Sequence, residues 1–124
     1  MQDGKHVILY VEDDPDFRAS MRTVLEAHGY VMFEAADGEE GLRAFRDAQP
    51  DLVIVDLMME EIDSGTTLMK EFRAAGCTVP VYMLSSAGDA LTLSTDYTQL
   101  GFSGVLQKPL DPDRLVGILE TKLA

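Results

Sequence analysis

The chain has 124 residues, of which 46% are hydrophobic and 26% charged, a composition typical of one globular domain with its own core. Acids outnumber bases by 22 to 10, and the net charge of −12 argues against direct binding to nucleic acid or to an anionic membrane surface. No apolar run approaches the roughly 20 residues that span a bilayer or has the layout of a signal peptide, so a cytoplasmic domain is expected.

Short apolar runs, which predict strands, recur along the chain. In chain order they are Val7–Val11, Val31–Ala35, Leu52–Val55, Val81–Leu84 and Val105–Leu106. The first, third and fourth runs are almost wholly apolar, which is typical of strands buried on both faces of a parallel sheet. The second run, interrupted by Glu34, and the short fifth run are predicted to be the two edge strands. Cys77, which precedes the fourth run, has no second cysteine to pair with and is expected to fill the core.

Between these runs, apolar residues recur at helical spacing and predict five helices. The first helix starts at Pro15, the second at Asp37 and the fifth at Asp111-Pro112. The third helix ends at Gly76, and the fourth lies around Thr92–Leu100. Asp14 is suited to cap the first helix, and Gly29 is suited to end it. Glu40, three residues after Asp37, gives the second helix a pattern like a capping box.

Strands and helices that alternate at this spacing predict a flavodoxin-like, doubly wound α/β fold. Its five-stranded parallel sheet would have the strand order 2-1-3-4-5, with five helices around it. One domain is expected to span residues 1–124. In such a sheet, ligands bind at the carboxyl ends of strands 1 and 3, where the strand order reverses. The residues that follow the strands are therefore the candidates for a functional site.

Polar side chains follow four of the predicted strands. They are Glu12 and Asp13 after the first strand, Asp56 after the third, Ser85 after the fourth and Lys108 after the fifth. Neighbouring carboxylates repel one another unless a cation lies among them, and oxygen ligands without histidine or cysteine suit Mg²⁺ rather than zinc. A carboxylate beside Mg²⁺ can attack phosphorus, while a lysine and a serine hydroxyl stabilise charge on the phosphoryl oxygens. The set predicts a magnesium-assisted phosphoryl acceptor, with Asp56 as the acceptor.

Taken one at a time, most of these residues have an ordinary structural explanation. Lys108 alone would be a surface lysine, and Ser85 alone a turn residue. Asp14, which directly follows Asp13 in the sequence, is better explained as a helix cap than as a metal ligand. Asp56 is the strongest single candidate, because an acid that abuts the apolar run Leu52–Val55 is costly to bury without a partner.

Four segments of the chain resemble motifs of the receiver domain of bacterial two-component response regulators. They are Val7–Pro15 with its acidic pair, Leu52–Met59 with the phosphoacceptor, Pro80–Ser86 with a hydroxyl at the strand end, and the lysine-proline turn Gln107–Pro109. The resemblance covers essentially the whole chain.

The resemblance implies a role for each residue of the acidic group. Asp56 would accept a phosphoryl group from a phosphohistidine on a sensor histidine kinase or a phosphotransfer protein. Mg²⁺ would be bound by Asp13 directly, by Glu12 through water, by Asp56 and by the backbone carbonyl of Met58.

The resemblance also implies how the signal leaves the site. Ser85 would move toward the phosphoryl group, and Lys108 would pair with its oxygens. A face formed by the fourth helix, the fifth strand and the fifth helix would then bind a downstream effector protein. The expected function is phosphorelay signalling rather than an enzyme activity, since the domain would catalyse only its own phosphorylation and dephosphorylation. We expect no output domain, no direct contact with nucleic acid or membrane, and a monomer or weak homodimer.

The sequence departs from the family pattern at several positions. Val105 occupies the place of the family's switch aromatic, Glu60 stands where many members have proline, and Ser86 replaces a small apolar residue. Met58 and Ala87 lie at positions that influence the attacking water in this family, and both are apolar. Our hypothesis is therefore a comparatively long-lived acyl phosphate.

Two other functions are consistent with parts of the sequence. The segment Asp14-Pro15-Asp16 faintly resembles the D-x-D motif of haloacid-dehalogenase-type phosphatases, which also use aspartate and Mg²⁺. A degenerate receiver that acts only as a binding module is the other alternative, although the complete set of site residues disfavours it.

Overall fold

The computed structural model of the chain describes residues 4–56, 70–85, 103–107 and 111–123. Within them, five strands form one sheet: β1 Val7–Val11, β2 Val31–Ala35, β3 Leu52–Asp56, β4 Val81–Ser85 and β5 Gly104–Gln107. Every pairing is parallel, and the strand order is β2-β1-β3-β4-β5. This is the order predicted from the sequence, and it places the reversal between β1 and β3.

Three strands are longer than the sequence predicts. β3 and β4 each extend by one residue, to Asp56 and Ser85, and β5 runs over Gly104–Gln107 rather than Val105–Leu106. The added residues are polar or lack a side chain, so the apolar pattern does not include them. They join the sheet because their backbones pair with a neighbouring strand, as Asp56 does with Leu84.

Helices are described in four stretches of the chain. They are α1 Pro15–Ala27, α2 Gly38–Ala48, residues 70–74 and the C-terminal helix Pro112–Leu123. The predicted helix around Thr92–Leu100 lies outside the described residues. In the part of the chain that the structure covers, no helix has the length and apolar character needed to cross a bilayer.

The ends of α1 follow the residues that predict them. The Asp14 carboxylate accepts a hydrogen bond of 2.8 Å from the Asp16 N–H, and Pro15 occupies the first helical position. Gly29 has a φ of +83°, and the Tyr30 N–H donates to the Leu25 carbonyl at 2.9 Å, which is the pattern of a Schellman motif. The predicted start and end of this helix are confirmed.

The start of α2 differs slightly from the predicted capping box. The Asp37 carboxylate accepts from the Glu40 N–H at 2.8 Å, as expected. The Glu40 carboxylate, however, accepts from the N–H of Ala36 at 3.2 Å rather than from that of Asp37. The cap is therefore reciprocal but spans one more residue.

Helices cover both faces of the sheet, so β1 and β3 are buried along their whole length. The face toward α2 and residues 70–74 buries Leu9, Val11, Val53, Val55, Phe72, Cys77, Val81 and Met83. The face toward α1 and the C-terminal helix buries Ile8, Tyr10, Leu25, Ile54, Leu106, Leu115 and Leu119. Cys77, on the face toward α2, is 4% exposed, which confirms its predicted place in the core.

Candidate functional site

Three carboxylates meet where the strand order reverses. Glu12 and Asp13 directly follow β1, and Asp56 is the last residue of β3. These strands are neighbours, with Val11 paired to Val55, so the residues that follow Val11 lie beside Asp56. One oxygen from each of the three carboxylates lies within 4.8 Å of the others. The predicted convergence of these three acids is therefore present in the structure.

Two of the three carboxylates are almost completely buried. Glu12 is 1% exposed and Asp56 is 2% exposed, whereas Asp13 faces solvent. Burial, together with a hydrogen bond to Asp56 and its charge, raises the pKa of Glu12 to about 7. Two buried carboxylates this close together repel each other unless they share a proton or a cation lies beside them, so a cation can take the place of that proton.

The Glu12 carboxylate is held by donors on both of its oxygens. The Tyr10 hydroxyl donates to Oε2 at 3.0 Å, and the Asp14 N–H donates to Oε1 at 3.2 Å. Burial and the charges of Glu12 and Asp56 raise the pKa of Tyr10 above its usual range, so its hydroxyl stays protonated and acts as the donor. Sequence reasoning missed Tyr10, although its position two residues before Glu12 places both side chains on the same face of the strand.

The backbone of Glu12 is fixed as well. Its N–H donates to the Ala35 carbonyl of β2 at 2.9 Å, and its carbonyl accepts from Arg18 Nη1 at 2.6 Å. Arg18 Nε lies 3.6 Å from Glu34 Oε2, so this arginine joins the loop after β1 to the edge strand. Sequence reasoning missed Arg18, and no signal in the sequence distinguishes it from the other arginines of α1.

The donor set fits a hard divalent cation such as Mg²⁺. It consists of carboxylate oxygens, which Mg²⁺ prefers, and the two buried acids gain the most from a positive charge. Among the described residues, neither histidine nor cysteine contributes to this cluster, so its chemistry does not suit zinc.

The other predicted site residues are described only in part. The backbone of Ser85 ends β4, where it pairs with Gln107 on β5, one residue beyond the partner of Asp56. The backbone of Ser85 therefore lies at the same edge of the sheet as the acids. Lys108 and the carbonyl of Met58 lie outside the described residues.

Of the positions at which the sequence departs from the receiver-domain pattern, Val105 is among the residues that the structure describes. Val105 lies in β5, paired with Met83. Glu60, Ser86 and Ala87 lie outside the described residues.

Comparison with known families identifies a match over most of the chain. The family model described as the response regulator receiver domain matches residues 8–120. A probable transcriptional regulator, ycf27, from Guillardia theta is 36% identical over 111 residues, which are 90% of this chain and 42% of that protein. The transcriptional regulatory protein CseB of Streptomyces coelicolor is 34% identical over 123 residues, 99% of this chain and 51% of that protein. The chain thus spans about half the length of these curated relatives.

Solved structures share the fold. A putative response regulator from Chloroflexus aurantiacus superposes with a TM-score of 0.83 at 32% identity, covering 96% of this chain and 98% of that one. The chemotaxis response regulator CheY4 of Vibrio cholerae gives a TM-score of 0.81 at 27% identity, covering 94% and 98% of the two chains.

Proposed function

Because this chain belongs to the response regulator receiver domain family, we propose that it is switched by phosphorylation of Asp56. A receiver domain of a two-component system is a signalling module, so the chemistry that matters is the domain's own modification. The observation that carries the proposal is the position of Asp56, which ends β3 almost fully buried against Glu12 and Asp13. A carboxylate in this position is a candidate nucleophile, and a cation held among the three acids would offset their repulsion.

In the proposed reaction, a carboxylate oxygen of Asp56 attacks the phosphorus of a phosphohistidine on a sensor kinase or phosphotransfer protein. The P–N bond breaks as the P–O bond forms, so the phosphoryl group becomes an acyl phosphate and the imidazole is released. Asp56 must be ionised for this step, so any proton that it shares with Glu12 has to leave first. Glu12, Asp13 and Asp56, with the carbonyl of Met58, would hold Mg²⁺, which supplies positive charge to the phosphoryl oxygens when bound.

We assign the remaining steps to Ser85, which ends β4, and to Lys108, which follows Gln107 in the sequence. Lys108 pairs with the phosphoryl oxygens, and the Ser85 hydroxyl approaches them. These contacts shift the face formed by the predicted fourth helix around Thr92–Leu100, by β5 and by the C-terminal helix. A two-state shift of this kind needs only that the phosphoryl group binds one state better than the other. The domain catalyses nothing beyond its own phosphorylation and dephosphorylation.

The proposed partners are a sensor histidine kinase and a downstream effector in the cytoplasm. Because several relatives are named as transcriptional regulators, we propose transcription as a process that this domain controls. Its net charge of −12 disfavours contact of this domain with DNA, so the control would pass through a partner protein or another domain.

The experiment is to incubate the chain with acetyl phosphate and Mg²⁺, reduce the acyl phosphate with borohydride and map the product by mass spectrometry. We expect the label on Asp56 and its complete loss in Asp56→Asn. Asp47→Asn, an exposed aspartate of α2, is the matched control and should keep the label. Label on Asp14 would instead support the phosphatase, and no label together with no binding of beryllofluoride would support a degenerate receiver.

A further inference from the structure

Tyr10 is a core residue with one polar atom. Its ring is 1% exposed and packs with Ile8, Met21 and Leu25 on the face of the sheet that α1 covers. A phenylalanine would fill this space equally well, because the hydroxyl adds no apolar contact. The hydroxyl is therefore explained by what it bonds to rather than by how the ring packs.

The partner of the hydroxyl is one oxygen of a candidate metal ligand. Tyr10 donates to Glu12 Oε2 at 3.0 Å, and both groups are buried. The Asp14 N–H donates to the other oxygen, Oε1, at 3.2 Å. Two donors on the two oxygens fix the plane of the carboxylate, which otherwise has free rotation about its terminal bond.

The two hydrogen-bond donors to the Glu12 carboxylate belong to different parts of the fold. The Asp14 N–H belongs to the same short segment as Asp13, between β1 and α1. The Tyr10 hydroxyl is attached to a ring packed in the core between β1 and α1, so it ties Glu12 to the core rather than to the loop after β1. Of the two donors, Tyr10 is thus the one that links the orientation of Glu12 to the packed core.

We propose that Tyr10 is a positioning residue for the metal site, whose hydroxyl holds the Glu12 carboxylate in the orientation that Mg²⁺ binding requires. The inference rests on the proposed function, since it presupposes that Glu12, Asp13 and Asp56 bind the cation. Residues that hydrogen-bond to metal ligands typically change metal affinity by about 10- to 100-fold when they are removed. We place Tyr10 in that class.

The test is the Mg²⁺ affinity of Tyr10→Phe, measured by calorimetry or by NMR titration of the backbone amides. We expect the Kd to rise about tenfold or more. Tyr30→Phe is the matched control, because Tyr30 also packs against the same core group but is remote from the acids, and its Kd should equal that of the wild type. A Kd for Tyr10→Phe equal to that of the wild type overturns the inference.

Two further measurements separate positioning from a merely structural role. If Tyr10 only supported the fold, Tyr10→Phe would lower the free energy of unfolding without cation and leave the Kd unchanged. In the unaltered chain, the ¹³Cζ resonance of Tyr10 should shift on addition of Mg²⁺ with the same midpoint as the Asp13 amide, while that of Tyr30 stays fixed. A Tyr10 resonance that does not respond overturns the inference even if the variant fails to fold.

The same titration distinguishes this inference from the proposed function. If the wild-type chain binds no Mg²⁺, both are wrong. If the wild type binds Mg²⁺ and the Tyr10→Phe chain binds it equally well, the metal site stands and only the role of Tyr10 is wrong.

Discussion

The stability of the cation-free protein should depend on pH through Glu12, because the charge of this residue is disfavoured in the native state. Burial and the neighbouring Asp56 raise its pKa from the ordinary value of 4.5 to about 7. Between these two pH values, the native chain holds a proton that the unfolded chain has released. The free energy of unfolding therefore falls as the pH rises through this window and no longer changes above it on account of Glu12.

Replacing Glu12 by glutamine should remove this dependence. In EDTA at pH 8, we expect Glu12→Gln to raise the free energy of unfolding by about 1–3 kcal/mol, because the buried charge is gone. At pH 5 the gain should be smaller, since Glu12 is then protonated in the native state. Urea unfolding at both pH values measures the difference, with the exposed Glu39→Gln as control. An equal gain at pH 5 and pH 8 would contradict the assignment.

The acids of the site could be predicted from the sequence, while the residues that hold them could not. Glu12 and Asp56 follow apolar runs, and the rule that parallel strands end at one sheet edge brings such residues together. Tyr10 has the pattern of an ordinary core residue and Arg18 that of an ordinary surface charge on a helix. Their roles depend on distances of a few ångströms across elements, which neither composition nor periodicity contains.

Among the elements, β4 and β5 show how closely two strands can constrain a side chain. Tyr82 on β4 pairs with Gly104 on β5, and its ring lies over the glycine. A Cβ atom at Gly104 would lie 2.6 Å from Tyr82 Cε1, closer than atoms approach without displacement. Gly117 in the C-terminal helix offers the opposite case, because among the described residues no atom beyond the helix's own backbone lies within 4 Å of the position of a Cβ.

The same substitution at these two glycines should have opposite effects. Gly104→Ala should lower the free energy of unfolding by about 1–3 kcal/mol, because the Tyr82 ring must move. Gly117→Ala should raise it by up to about 1 kcal/mol, because alanine favours a helix and meets no neighbour. Chemical unfolding measures both. In a Tyr82→Leu background the cost of Gly104→Ala should shrink, and an unchanged cost would show that the ring is not its cause.

Helix ends were easier to predict than strand ends, for a physical reason. A cap such as Asp14 or a left-handed glycine such as Gly29 or Gly76 acts within a few residues of the chain, so its signal is local. A strand end depends on how far the neighbouring strand continues. β5 reaches Gln107 because Ser85 is there to pair with it, which the pattern of β5 alone does not reveal.

Over the whole molecule, the net charge of −12 means that any salt relieves some repulsion. Binding of Mg²⁺ to the three carboxylates should add a specific stabilisation, since the unfolded chain has no such cluster. A cation at a hundredfold excess over its Kd stabilises the native state by about 2.7 kcal/mol. The specific and the general effect can be separated by comparing MgCl₂ with KCl at equal ionic strength.

Removal of one site acid should abolish only the specific part. In Asp13→Asn, we expect MgCl₂ to stabilise the chain no more than KCl does, as judged by the unfolding temperature. Asp113→Asn makes the same change of charge at an exposed position in the C-terminal helix, and it should retain the full Mg²⁺ effect. A loss of the Mg²⁺ effect in both variants would mean that the stabilisation is general screening.

The hydrogen bond from the Glu12 N–H to Ala35 links the acidic site to the edge of the sheet. In the described sheet, β2 has β1 as its single neighbour, and strands of that kind detach locally more often than central ones. Each detachment would break the hydrogen bond from the Glu12 N–H to Ala35, while the bonds from Arg18 to the Glu12 carbonyl and from the Tyr10 hydroxyl to its carboxylate would remain. A cation bound at the acids would favour the state in which the hydrogen bond to Ala35 is intact. Local detachment of β2 would then become rarer, although β2 contributes none of the three acids.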